Sequence, residues 1–384
     1  MRINRKPLTL VSAVFLFGLV VWLLIPQSYN PSSESGNGPG AVNLPQASRD
    51  SLDKTAANDS DLLEEKLRFC LLGELEKLKR VHGELEGQAA IHGMFESLDN
   101  EQPAIVAKAI KSVLESGEDG FAFGRFSPGA DGLLDSYPTF RTALLDMLEK
   151  MDPALAVDVG KTILNTSENV DEWAISLRTL SRHASTDSDQ QFLQAKVQEL
   201  LVRETWLEEP TFSFLHAFDA AVQGGQLISM ERLGELMTQP PNRAVGHAAT
   251  ISVDRFFQQH ASVGANYLIE HPEFLNGSSG FRATLMARVN PIDSDGMAAA
   301  ETYLDTETFS EEEKRTFLET FPNFNSTFSF NLITGSLLIP REDMRERSVA
   351  AYNQLSVWLN EERYPEFQEE ITNTVNRLAR IWKL

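Results

Sequence analysis

The 384-residue chain has a single cysteine, Cys70, so no internal disulfide contributes to its fold. It also lacks the short motifs that commit a sequence to a chemistry. There is no H-E-x-x-H and no paired Cys–His spacing for zinc. G-x-S-x-G, the phosphate loop G-x-x-x-x-G-K-[ST] and G-x-G-x-x-G are absent as well. No catalytic residue, metal-ligand set or cofactor is therefore indicated, and a non-enzymatic role is favoured over an enzymatic one. Basic residues are scarce: 34 against 55 acidic ones, a net charge of −21. That excess repels phosphate backbones and excludes nucleic acid as a partner. It suits solubility and basic protein partners.

Long apolar runs are missing except for one. Residues 8–25, LTLVSAVFLFGLVVWLLI, carry no charge. A bilayer core about 30 Å thick needs roughly 20 apolar residues, and this run meets the short end of that range. Arg2, Arg5 and Lys6 precede it, and no acid occurs before Glu34. The charge bias assigns residues 1–7 to the cytoplasm and everything beyond the anchor to the outer side. In a bacterial cell this is a single-pass inner-membrane protein with its C-terminal part in the periplasm. The alternative is a cleaved signal, giving a secreted or periplasmic chain. Pro26-Gln27-Ser28-Tyr29 is a poor cleavage site, which favours the anchor.

Residues 26–60 are rich in Pro, Ser, Gly and Asn and read as a disordered linker. Residues 61–384 read as one all-helical region. Cys70, between Phe69 and Leu71, is expected as a small buried side chain. Leu71, Leu75, Leu78, His82 and Leu85 also fit a short heptad seam. Pro103 opens a further helix.

From Thr139 a pattern recurs. Phe140, Ala143, Leu144, Met147, Leu148 and Met151 form a helical stripe, and Asp152-Pro153 breaks it and starts the next. Trp173, Leu177, Leu180 and Ala184 form another. Second helices of successive pairs start near residues 153, 188, 227, 262 and 296. Each pair is too small to bury its own stripe, and stacking would bury it. By period and breakers, about 137–310 resembles HEAT-like helical-hairpin repeats. That resemblance implies an antiparallel α-solenoid-like array with a concave binding face. A globular helical bundle is the alternative.

Smaller signals complete the reading. Asp293-Ser294-Asp295-Gly296 begins like a calcium loop, but Met297 takes the third ligand position, so helix capping is expected. Ser310 and Glu313 have the spacing of a capping box. In the last helix, Phe367, Ile371, Val375, Leu378 and Trp382 form the apolar stripe, with Glu370 on the opposite face.

One stretch departs from the pattern. Residues 115–138, ESGEDGFAFGRFSPGADGLLDSYP, form an irregular loop with Phe121, Phe123, Arg125 and Phe126. A loop this long in a helical domain is either a packed connector or a binding loop. Those four residues are the candidate binding residues. The expected function is a membrane-tethered helical-repeat scaffold that binds an envelope protein or peptide. The alternatives are a tethered folding assistant or a hydrolase with its site near this loop. The anchor–linker–helices order resembles membrane-bound lipase foldases, but their R-x-x-F-D-Y signature is absent.

Overall fold

The computed structural model describes residues 46–223, 227–325, 332–333 and 338–384, with side chains from residue 60 onward. The expected tail 1–7, anchor 8–25 and linker residues 26–45 lie outside the described residues. Among the described residues no helix is long and apolar enough to cross a membrane. The chain divides into two units, Met1–Asp53 and Lys54–Leu384. Of the first, residues 46–53 are described, as helical backbone.

The second unit is built of helices. Its first residues, from 54, continue α1 (Gln46–Leu78), which begins inside the stretch expected to be linker. Residues 46–60 contain neither Gly nor Pro and follow Pro45, so their propensity allows the helix without an apolar stripe. α1 stops at Leu78, which ends the heptad seam before His82. Leu67, Leu71, Leu75 and Leu78 face the core. Cys70, one step round the helix from Leu71, is exposed instead of buried. α2 (Glu84–Leu98) and α3 (Pro103–Glu115) follow.

Next come α4 (Phe140–Met151), α5 (Pro153–Thr166), α6 (Val170–His183), α7 (Asp187–Val202), α8 (Glu204–Glu208) and α9 (Phe212–Ala217). A 3-10 turn at Phe218–Ala221 continues α9. Then α10 (Met230–Thr238), α11 (Arg243–Gln259), α12 (Ala261–Glu270), α13 (Ser279–Met286) and α14 (Ser294–Asp305) lead to α15 (Glu311–Thr320), α16 (Arg341–Asn360) and α17 (Gln368–Trp382). The breakers seen in the sequence set the starts. Thr139 and Thr142 cap α4 reciprocally, Asp152 caps α5, and Asp293 caps α14 rather than opening a cation loop.

The packing follows a rule. α4, α6, α9, α11, α13, α15 and α17 contact one another in succession as one row. α5, α7, α10, α12 and α16 each pack against members of that row, and α14 packs on α12. α4 is buried all round from Phe140 to Glu149, and α6 from Glu172 to Leu180. A helix in a plain two-row array would show one face to water. Here a short antiparallel hairpin, β1 (Ser127–Pro128) with β2 (Leu134–Ser136), lies against it: the Leu134 amide donates to Asp146 at 2.6 Å. Further along, the Ile333 amide donates to Asp219 at 2.7 Å, and the Asn325 carbonyl accepts from Arg288 at 2.7 Å.

Successive row helices are joined by buried ion pairs. Arg178 on α6 reaches Asp146 and Glu149 on α4, and Arg141 on α4 reaches Glu172 on α6. Arg255 meets Asp219 at 3.0 Å, Arg288 meets Asp254 at 2.6 Å, and Arg282 meets Glu313 at 2.7 Å. Arg315 pairs with Glu370 on α17, which places that carboxylate at an interface instead of on the expected outer face. Ser310 does cap α15 through the Glu313 amide at 3.2 Å, but the Glu313 carboxylate does not close the box. It accepts from Arg282 and from the Tyr303 hydroxyl at 2.7 Å, because a buried charge needs those partners more than an N-cap amide needs it.

Candidate functional site

The irregular loop is braced along two limbs. Residues 120–124 run antiparallel to 137–140: the Ala122 amide donates to Pro138 O at 2.9 Å, Gly124 N to Tyr137 O at 3.1 Å, and Phe140 N to Gly120 O at 2.8 Å. Gln88 on α2 clamps both limbs. Its amide nitrogen donates to Ala122 O and Tyr137 O at 2.8 Å each, and its carbonyl oxygen accepts from the Tyr137 amide at 2.9 Å. The approach is close enough that a Cβ at Gly87 would collide with Ala122 O, and one at Gly124 with the Gln88 side chain. Both positions therefore need glycine.

This bracing fixes where the aromatics go. Phe121 is 71% exposed and Phe123 is 43% exposed, with ring centroids 6.1 Å apart. Ala122 between them is buried. Phe123 holds φ at +60°, a conformation that costs a bulky residue about 1–3 kcal/mol and persists only where its surroundings impose it. Arg125 is exposed, with its amide donating to Ser136 Oγ at 3.2 Å. Phe126 is buried and packs on the His216 ring at 6.1 Å, so it plugs the loop onto α9. Of the four expected binding residues, the structure brings Phe121 and Phe123 together, leaves Arg125 outside the cleft they line, and removes Phe126 from the surface.

Phe121 and Phe123 form one wall of a cleft of about 320 Å³, with Leu78, Lys79, Val81 and His82 opposite. Lys79 is held by Glu76 at 2.8 Å and Glu118 at 3.1 Å. Asp119 stands between this cleft and a second one of about 670 Å³ lined by Lys111, Glu115, Arg141, Thr162 and Glu172 among others. Burial raises the Asp119 carboxyl above the ordinary aspartate range, against the amides of Arg141 and Gly120 and the Thr139 hydroxyl. Arg141 is committed to Glu172 and to Leu114 O at 2.6 Å. No histidine or cysteine lines this larger cleft. Its threonine hydroxyls are turned to their own helix: Thr162 donates to Asp158 O at 3.2 Å and Thr166 to Thr162 O at 2.8 Å. Among the described residues no group of His, Cys, Asp and Glu is placed to hold a metal ion.

Gln88, Asp119, Lys79 and His82 were not legible as site residues. Gln88 carries no local signal, because its role depends on a loop that returns 49 residues later. Gln88→Ala should cost about 2 kcal/mol, since it strands buried loop groups. Hydrogen exchange at the Tyr137 amide should accelerate in that variant, and an unchanged rate would show that the loop is braced by its backbone pairs alone.

Comparison of the chain with protein-family models, with curated proteins and with solved structures returns no match.

Proposed function

We propose that this chain is a non-enzymatic interaction protein: an α-solenoid-like array of helical hairpins, tethered to the inner membrane by residues 8–25, that docks an envelope protein or peptide through Phe121 and Phe123. The observation that carries the reading is the pair of exposed rings. Two phenylalanines held out by a braced loop, one of them in the left-handed region, retain apolar surface that burial would stabilise by roughly 25 cal/mol per Å². A cleft beside them with Leu78 and Val81 in its lining suits an apolar side chain on a partner. The succession of row helices, each touching the next in the row, supports the array. The face of the row, the expected binding groove, is contacted by the chain's own hairpin and by residues 325, 332 and 333, which moves docking to the loop. The acidic balance favours a basic partner.

The test places a photo-crosslinking residue at Phe121 or Phe123 in the full chain and, as a control, at Leu85, which is 86% exposed. Crosslinking to one envelope protein is expected at the loop and not at Leu85. Phe121→Ser with Phe123→Ser should abolish function in cells while changing stability by less than about 1 kcal/mol, because both side chains are exposed and lie outside the buried core. Equal crosslinking at all three positions, or full function of the double variant, would end this reading.

A further inference from the structure

A second surface lies on α10, well separated in sequence from the aromatic loop. α10 buries Met230, Leu233 and Leu236 and leaves a cleft on each side. The first cleft, about 490 Å³, lies between α7 and α10 and includes Val202 and Ile228, which are 55% and 51% exposed. The second, about 600 Å³, lies between α10 and α12 and is floored by Tyr267 and Phe274. There Phe274 lies directly on Gly234, where a Cβ would strike the ring, and meets Tyr267 edge to face at 5.3 Å. The glycine thus lowers the ridge and opens the aromatic floor.

Glu231 and Glu235 line both clefts, and both are exposed. Glu199 borders the first and Glu273 the second. The arginine on this ridge is taken, since Arg232 pairs with Glu235 at 2.7 Å, and the His271 ring lies 3.3 Å from Glu273. Glu231 makes no ion pair among the described residues, and its charge helps burial to raise the Tyr267 hydroxyl. The surface therefore combines two apolar floors with uncompensated negative charge on the ridge between them.

We infer that the two clefts together bind a cationic amphipathic segment of a partner protein, with apolar side chains in the Val202–Ile228 and Tyr267–Phe274 floors and a lysine or arginine against Glu231. Charge complementarity selects this occupant. An acidic or neutral segment would leave Glu231 facing apolar or like-charged groups across a desolvated contact. The inference does not depend on the Phe121–Phe123 cleft, which uses other helices.

The probe is a labelled lysine–leucine peptide patterned in helical heptads, with a glutamate–leucine peptide of the same pattern as its counterpart. Binding is read by fluorescence anisotropy to the full chain in nanodiscs of neutral lipid, with empty discs as the blank. Saturable binding of the cationic peptide alone is expected. Glu231→Lys should weaken it about tenfold or more, and Ile228→Ser should weaken it comparably. Glu65→Lys on α1, equal in charge change but remote from these clefts, should leave it unchanged. Equal loss in Glu65→Lys would reduce the effect to bulk charge. Binding of the acidic peptide, no effect of Ile228→Ser, or no saturable binding would each overturn the proposal.

Discussion

Arg178→Met should lower the unfolding free energy by about 3–5 kcal/mol, the usual consequence of removing one partner from a buried charge group. Arg178 is completely inaccessible to solvent. Its guanidinium donates to Asp146, to Glu149 at 2.8 Å, and to the Gly132 carbonyl at 2.8 Å. Glu149 also accepts from Thr179 at 2.7 Å and from Arg182 at 3.2 Å. Burial pushes the Glu149 carboxyl up, but Arg178, Thr179 and Arg182 more than offset it, and its pKa lies below the ordinary value. Asp146, more deeply buried, is raised by its burial against the pull of Arg178 and the Leu134 amide. Removing the guanidinium leaves two carboxylates inside the row with one partly exposed arginine. The triple change Arg178→Met, Asp146→Asn, Glu149→Gln should recover much of the loss, because the penalty is the stranded charge and not the missing attraction. Urea titrations of the three proteins provide the measurement. A loss under about 1 kcal/mol in the single variant would mean that water reaches these carboxylates.

Acidification from pH 6.5 to pH 4 should cost the native chain about 3 kcal/mol through His216 alone, at about 1.4 kcal/mol per pH unit. The imidazole packs on Phe126, and burial, with the nearby Arg255 charge, pushes its pKa down from 6.5 to about 4. The folded chain therefore keeps it neutral where the unfolded chain protonates it. The unfolded state binds the extra proton between those two values, so stability is complete above pH 6.5 and falls as the pH drops through the window. His216→Gln should flatten the stability curve there by about the same amount. Parallel curves for the two proteins would show that water or a rearranged loop solvates the ring. Because Phe126 rests on this histidine, the same acid window should loosen the segment that carries Phe121 and Phe123.

Much of the helical framework was legible. The stripe at Phe140, Leu144 and Met147 became α4, and Asp152-Pro153 became the cap and first residue of α5. Such signals are local: a cap is read within three residues and a stripe within four turns. Local signals do not reach residues whose environment comes from elsewhere in the chain. Cys70 lies beside core leucines in sequence, yet the helix turns it outward. Glu370 shares a polar-looking face but meets Arg315. Phe121, Phe123 and Phe126 are equivalent in the sequence, and only the pairing of 120–124 with 137–140, fixed by Gln88, sends two outward and one inward.

The ion pairs had a trace that composition and stripes concealed. Their partners are 32, 36, 34 and 31 residues apart for Asp146–Arg178, Asp219–Arg255, Asp254–Arg288 and Arg282–Glu313, close to one helical hairpin. Several of these charges are set in apolar runs, as in LLDML and SVDRFF, whereas Glu313 lies in the charged run SEEEKR. Composition alone makes this chain acidic and free of internal disulfides, and propensity, caps and breakers, which act over a few residues, make it helical and start most of its helices. Which charges are buried, which aromatics face water, and where clefts open beside α10 are settled by long-range packing. Those outcomes depend on which chain segments meet across a repeat or more, and burial fixes the worth of each charge and ring.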